Sequence, residues 1–250
     1  MALTRRFTLG MIAAPLALGL AACSSADADE AAIDAEPIAE IPAPEGTEWT
    51  DVVEVSEYDG YVIGNPDAPI KVIEYASLTC PACAAFSMDG AAQLKAEYVS
   101  TGRVSYELRN QIHGPHDLML AQLVRCGADE SFHPLSDQVW ADLNGVLGPV
   151  FQNQDAFGQA LQLPEAERFV AAAEVAGFYD FFAARGVSED QARTCLADFQ
   201  AMETIANNSN TQGQEFGVTG TPTFFVNGVK QDGVLNWAGL EPILQRAGAR

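Results

Sequence analysis

Short β-branched and aromatic runs lie toward both ends of the chain, and a long stretch with helical spacing separates them. Val52–Val55 and Ile70–Ser77 read as strands, because β-branched residues suit a pleated, half-buried surface. Cys80 to Val99 reads as a helix with Phe86, Leu94 and Tyr98 on one face and Gly102 just past its end, and Val104–Arg109 as a further strand. From Asp117 to about Phe216 the pattern is helical. Asp117 reads as the cap of a helix Leu118–Cys126 that stops at Gly127. Phe132, Leu135, Val139, Trp140 and Leu143 then keep a period of about 3.6 residues. Pro164 and Ser188 open further helices, and Ser188-Glu-Asp-Gln191 has the form of a capping box. Thr223–Val226 and Lys230–Val234 predict a hairpin around Asn227-Gly228, and Leu240 to Ala247 a closing helix. The order is a β-α-β half, a helical block and a β-β-α half.

Chemistry concentrates where the first long strand meets a helix, at Cys80-Pro-Ala-Cys83. Unpaired N–H groups and the dipole at a helix start stabilise a thiolate, so the first cysteine of such a pair is acidified and nucleophilic. A C-x-x-C pair also serves zinc sites and haem attachment. Haem would need His after Cys83, where Ala84 stands, and zinc would need a second ligand pair, yet no second C-x-x-C exists. A second segment supplies the context: Gly217-Val-Thr-Gly-Thr-Pro222 leads into the strand Thr223–Val226. Proline is tolerated at a strand's first residue, and an X-Pro bond at such a turn is a candidate cis peptide.

With both segments the chain resembles the DsbA family of thioredoxin-fold thiol:disulfide oxidoreductases, from about Trp49 to Arg250, with Gly64-Asn-Pro-Asp-Ala-Pro69 ahead of the core strand. The resemblance implies an α/β thioredoxin fold with an inserted α-helical domain: residues 49–112 the first half, 113–200 the insertion and 201–250 the second half. Cys80 is the expected nucleophile and Cys83, one turn inside, the thiol that resolves the mixed disulfide. Pro81 stiffens the turn. Ala82 departs from the His of the DsbA enzymes, so the expected Cys80 pKa is about 5–6.5, between the extremes of about 3.5 and 7. Glu74 matches the family's buried acid, with a raised pKa that lets it exchange a proton with Cys83. Thr221 and Pro222 are expected against the sulfurs, the Thr221 backbone pairing to an extended substrate and the cis proline keeping metal away. No cofactor and no metal are implied. The expected partners are thiols of unfolded or partly folded exported proteins and a membrane quinone-linked oxidase or other redox partner that reoxidises the pair, the protein itself acting as a monomer.

The N-terminus bears on compartment. Arg5-Arg6 followed by the apolar run Leu9–Ala22 reads as a cleaved signal peptide over residues 1–22, too short to span a bilayer. Leu20-Ala-Ala-Cys23 resembles a bacterial lipobox, which implies lipidation of Cys23 and a periplasmic protein held to the membrane only by that anchor. Thr4-Arg-Arg-Phe-Thr-Leu9 also partly resembles a twin-arginine signal. Residues 23–48 carry many acids and no Lys or Arg, and predict an acidic disordered linker. A formal net charge of −21 disfavours nucleic acid and anionic lipid as partners.

An oxidising compartment makes a structural disulfide the natural assignment for the remaining cysteines, Cys126 and Cys195. His113, His116 and His133 read as capping or exposed residues rather than metal ligands, and the aromatic cluster Phe178–Phe182 as core of the insert. Two other functions use the same thiols: an envelope reductase or isomerase with the pair kept reduced, and a non-enzymatic copper chaperone holding Cu(I) between Cys80 and Cys83. The copper reading has Met88 as its one further soft ligand close in sequence.

Overall fold

The computed structural model describes residues 35–250. The expected signal peptide, Cys23 and the first part of the acidic segment lie outside the described residues. Six strands form one sheet: β1 (Val53–Val55), β2 (Tyr61–Gly64), β3 (Ile70–Ala76), β4 (Val104–Asn110), β5 (Thr223–Val226) and β6 (Val229–Lys230), in the spatial order β1-β2-β4-β3-β5-β6. Only β3 and β4 are parallel, as expected of strands joined through a helix, and the remaining pairs are antiparallel. The sequence reading lacks β2. Its four residues are buried or nearly so on both faces, so they show no alternation to betray a strand. The hairpin's second strand is Val229–Lys230, shorter than and upstream of the expected Lys230–Val234.

Side chains alternate across the sheet. Val72 and Ala76 of β3, Tyr106 and Leu108 of β4 and Phe224 of β5 join the main core, while Tyr75 and Phe225 meet Val218 in a smaller cluster on the other face. The helix after β3 begins as α1 (Pro81–Phe86) but widens into π-helical turns at Ser87–Ala91 and Leu94–Tyr98 before a 3-10 turn, Val99–Thr101. Between β4 and β5 run eight helices: α2 (Pro115–Leu123), α3 (Phe132–Ala141), α4 (Leu143–Gln152), α5 (Gln154–Ala160), α6 (Glu165–Val175), α7 (Phe178–Ala183), α8 (Glu189–Ala197) and α9 (Phe199–Glu215). The closing helix is α10 (Trp237–Arg246), and its N-cap Asn236 accepts from the Gly239 N–H. None of the helices among the described residues is long and apolar enough to cross a membrane.

Four sequence expectations need correction. The acidic segment is a docked strap, not a disordered linker, from residue 35 onward. Ala35, Ile38 and Ile41 donate their N–H groups to the carbonyls of Arg246, Gly248 and Thr101 at 2.8–2.9 Å, and Trp49 Nε1 donates to the Ile41 carbonyl at 2.7 Å. Ile38 also packs on the main core and Trp49 is buried, apolar anchoring that acidic composition concealed. Asp117 is no cap: Gly114 is the cap, Pro115 opens α2, and Asp117 is buried a few residues further on. The capping box at Ser188 is half formed, since Ser188 Oγ accepts from the Gln191 N–H while the Gln191 amide turns to the Cys126 carbonyl. His133 is neither cap nor exposed. It is buried with Nε2 3.0 Å from the Tyr61 carbonyl, and burial drives its pKa down to about 3, so it stays neutral.

Cys126, in the turn after α2, is bonded to Cys195 on α8 across a sequence separation of 69. Phe178 and Phe182 are fully buried in the helical block.

Candidate active site

β3 ends at Ala76, and the chain then makes a tight turn in which the Cys80 N–H donates to the Ser77 carbonyl at 3.2 Å. Cys80 keeps extended backbone angles and caps α1, with Pro81 in the first helical turn, where a missing N–H costs nothing. The Cys83 N–H points at Cys80 Sγ from 3.5 Å. Both cysteines are free thiols; Cys80 is partly exposed, and Cys83 is fully buried in the main core.

The second wall comes from far along the sequence. Thr223 pairs with Tyr75, so the residues before β5 lie beside the end of β3. There the Thr221–Pro222 bond is cis, and Cys80 Sγ lies 3.3 Å from the Thr221 carbonyl oxygen, to which it donates only while protonated. Thr221 and Pro222 also line an open hollow of about 240 Å³ that runs on to Leu235.

The two thiols are held at opposite ends of the acidity scale. The hydrogen bond from the Cys83 thiol is the chief reason the Cys80 pKa falls to about 5; the Thr221 side chain and the backbone N–H groups of Cys83 and Ala82 assist, and partial burial opposes. That lies at the lower edge of the range expected from the sequence. Burial pushes the Cys83 thiol far up, and its bond to Cys80 and the nearby Glu74 charge push the same way. At neutral pH, Cys80 is therefore a thiolate and Cys83 a protonated thiol.

Glu74 lies on the core face of β3, between Val72 and Ala76 in the alternation, and is fully buried. Desolvation raises its pKa to about 8, partly offset by the hydroxyl of Tyr106, which donates to Oε2. Oε1 has no hydrogen-bond partner among the described residues. A neutral carboxyl that ionises close to physiological pH can accept or return a proton in the core. Tyr106 carried no signal in the sequence, because a tyrosine in a strand reads simply as core. The same is true of Trp140, whose Nε1 donates to the Ser77 carbonyl at 3.0 Å.

Chemically, the arrangement can perform attack by a thiolate on a disulfide, or its reverse, with a second thiol held back one helical turn. Met88 is exposed on the helix beyond Cys83, and no cluster of three or more metal-binding residues occurs among the described residues. His116 packs between Phe151 and Phe157, and His133 lies in the core.

Solved structures share this framework. The crystal structure of a protein-disulfide isomerase from Novosphingobium aromaticivorans aligns over 74% of this chain and 96% of its own, with a TM-score of 0.70 and 31% identity. That of Wolbachia pipientis alpha-DsbA1 aligns over 76% and 91%, at a TM-score of 0.62 and 22% identity, a likeness of fold. A Rickettsia bellii protein named provisionally as a protein-disulfide oxidoreductase is 30% identical over 173 residues, covering 68% of this chain and 58% of that protein. A Rickettsia typhi protein of the same name is 29% identical over 175 residues, covering 68% and 56%. The match thus spans little more than half the length of these relatives. Residues 56–246 match the family described as Thioredoxin, a span that takes in the central strands, the helical insertion and both walls of the site. Since that match runs from the β1–β2 turn to the end of α10, the chain belongs to the thioredoxin family.

Proposed function

We propose that the protein is a thiol:disulfide oxidoreductase that acts as a dithiol oxidase on exported proteins. The observation that carries this reading is the split between the thiols: a partly exposed Cys80 thiolate at a helix cap, beside the Thr221 carbonyl, with a protonated Cys83 buried behind it. In the oxidised state, a substrate thiolate attacks Cys80 Sγ. The Cys80–Cys83 bond breaks, and the electron pair leaves on Cys83, which is reprotonated; neutral Glu74 is the group placed to give that proton. A second substrate thiolate then attacks the substrate sulfur of the mixed disulfide, releasing oxidised substrate and the Cys80 thiolate. A low pKa for Cys80 makes it a good leaving group in this last step and stabilises the reduced enzyme, which is what makes a disulfide oxidising. A membrane quinone-linked oxidase would take the two electrons back. The signal-like N-terminus and the lipobox-like Leu20-Ala-Ala-Cys23 support a periplasmic site of action, with the chain tethered to the cell envelope through Cys23.

Reduction or isomerisation uses the same atoms with the pair held reduced, and the likeness to the Novosphingobium isomerase favours keeping that reading beside the first. Thiol trapping in cells separates them: a mostly oxidised Cys80–Cys83 pair supports an oxidase, a mostly reduced pair a reductase or isomerase. In vitro, Cys80→Ser should abolish oxidation of a dithiol peptide, and Cys83→Ser should accumulate mixed disulfides with substrate. Normal turnover by Cys83→Ser would exclude the two-thiol mechanism.

A further inference from the structure

Asp117 is a fully buried carboxylate to which the exchange chemistry gives no task. It forms no ion pair among the described residues. Instead three donors converge on it from two loops. Oδ2 accepts from Ser77 Oγ at 2.7 Å and from the His113 N–H at 2.8 Å, and Oδ1 accepts from the Leu78 N–H at 3.0 Å. Two of these donors belong to the turn between β3 and the catalytic helix. Ser77 is the corner of that turn: its carbonyl takes the N–H of Cys80 and Nε1 of Trp140, and its hydroxyl also receives the Thr79 N–H at 3.1 Å.

We propose that Asp117 is a positioning residue for the dithiol exchange: by gripping Ser77 and Leu78 it fixes the turn that presents Cys80 to the Thr221 carbonyl. The inference rests on the oxidoreductase reading above.

Physical chemistry explains why a carboxylate is needed here. The Ser77 hydroxyl and the Leu78 N–H are buried, and each would cost about 1–3 kcal/mol if left unpaired. A carboxylate has acceptor sites on both oxygens, whereas an amide has one acceptor oxygen and in either orientation would set its own N–H groups against at least one of the three donors. Burial pushes the Asp117 pKa up to about 6, while the Ser77 hydroxyl and the two N–H groups pull it back, so the group is ionised at neutral pH and can accept from all three. The ionisable group acting on it is His113, on the loop before α2, and the turn supplies the neutral donors Ser77 and Leu78. The grip matters for chemistry because a displacement of about 1 Å can cost a reaction on the order of a hundredfold.

The test compares Asp117→Asn and Ser77→Ala with wild type in the full chain, following oxidation rate of a dithiol peptide, thiolate absorbance of Cys80 against pH, and melting midpoint. Asp117→Asn should slow oxidation about tenfold or more and raise the Cys80 pKa by about one unit. Removing a negative charge would by itself lower that pKa, so a rise reports lost geometry. Ser77→Ala should move rate and pKa in the same direction by less, and the double variant should lose less than the two single losses combined, since both act through one contact. A lowered midpoint with unchanged rate and pKa, or a fall in pKa, would overturn the proposal by leaving Asp117 merely structural or merely electrostatic. If Asp117→Asn does not fold, Ser77→Ala decides alone: unchanged rate and pKa there also overturn it. Wild-type protein inactive towards every dithiol would instead remove the oxidoreductase reading; active wild type with unmoved variants removes only the role of Asp117.

Discussion

At the scale of single residues the site is governed by where protons reside. The core disfavours the charged form of Glu74, so the folded dithiol form favours the neutral acid. Its contribution to stability is full below the ordinary value of 4.5 and is lost as pH rises through about 8. Cys80 runs the other way, with stability present above its ordinary value of 9.0 and lost as pH falls through about 5. Comparing Glu74→Gln with wild type isolates the first effect, because Cys80 is common to both. Between about pH 5 and 8 the reduced wild type should lose on the order of 3 kcal/mol relative to the variant, read from urea midpoints. Parallel curves would show that Glu74 ionises like an exposed acid.

Among the elements, the strap of residues 35–48 binds where the 3-10 turn Val99–Thr101 ends. Gly102 there adopts φ +72, and a Cβ would run into the Ile41 carbonyl oxygen and the Trp49 indole. Gly46 also has positive φ, at +82, but open space around it. Gly46→Ala therefore measures backbone strain alone, about 1 kcal/mol, whereas Gly102→Ala adds displacement of the strap. The second should cost at least about 1 kcal/mol more by denaturant titration. Equal losses would mean that the strap yields freely and adds little to the fold. The catalytic helix illustrates a different point. Its extent was readable from Phe86, Leu94 and Tyr98, but so few marker positions cannot distinguish π turns from α turns.

For the molecule as a whole, the helical block is pinned by the Cys126–Cys195 bond, which ties the end of α2 to α8. Closing a loop with a sequence separation of 69 restricts the unfolded chain, worth about 4 kcal/mol in the chain-entropy account. Cys126→Ala/Cys195→Ala should accordingly melt several degrees lower, with dithiol oxidation by the Cys80–Cys83 pair retained. A midpoint unchanged within error would show that packing around Phe178 and Phe182 holds the block without the bond.

Much of this was local and hence legible in the sequence. Cys80 and Cys83 lie three residues apart at a helix start, and Pro222 directly precedes a strand, so spacing alone pointed to an acidified thiol and a cis-proline turn. The resemblance to the DsbA family likewise singled out Glu74 as a buried acid. What sequence could not supply was the partner of each polar group. Asp117 looks like a cap until folding brings the β3–α1 turn against it, 39–40 residues away in sequence. The acidic strap looks solvated until Arg246, Gly248 and Thr101 offer it carbonyls. Composition and periodicity report how a segment meets water and its own neighbours; which distant donor meets which acceptor is decided only when packing closes the chain on itself.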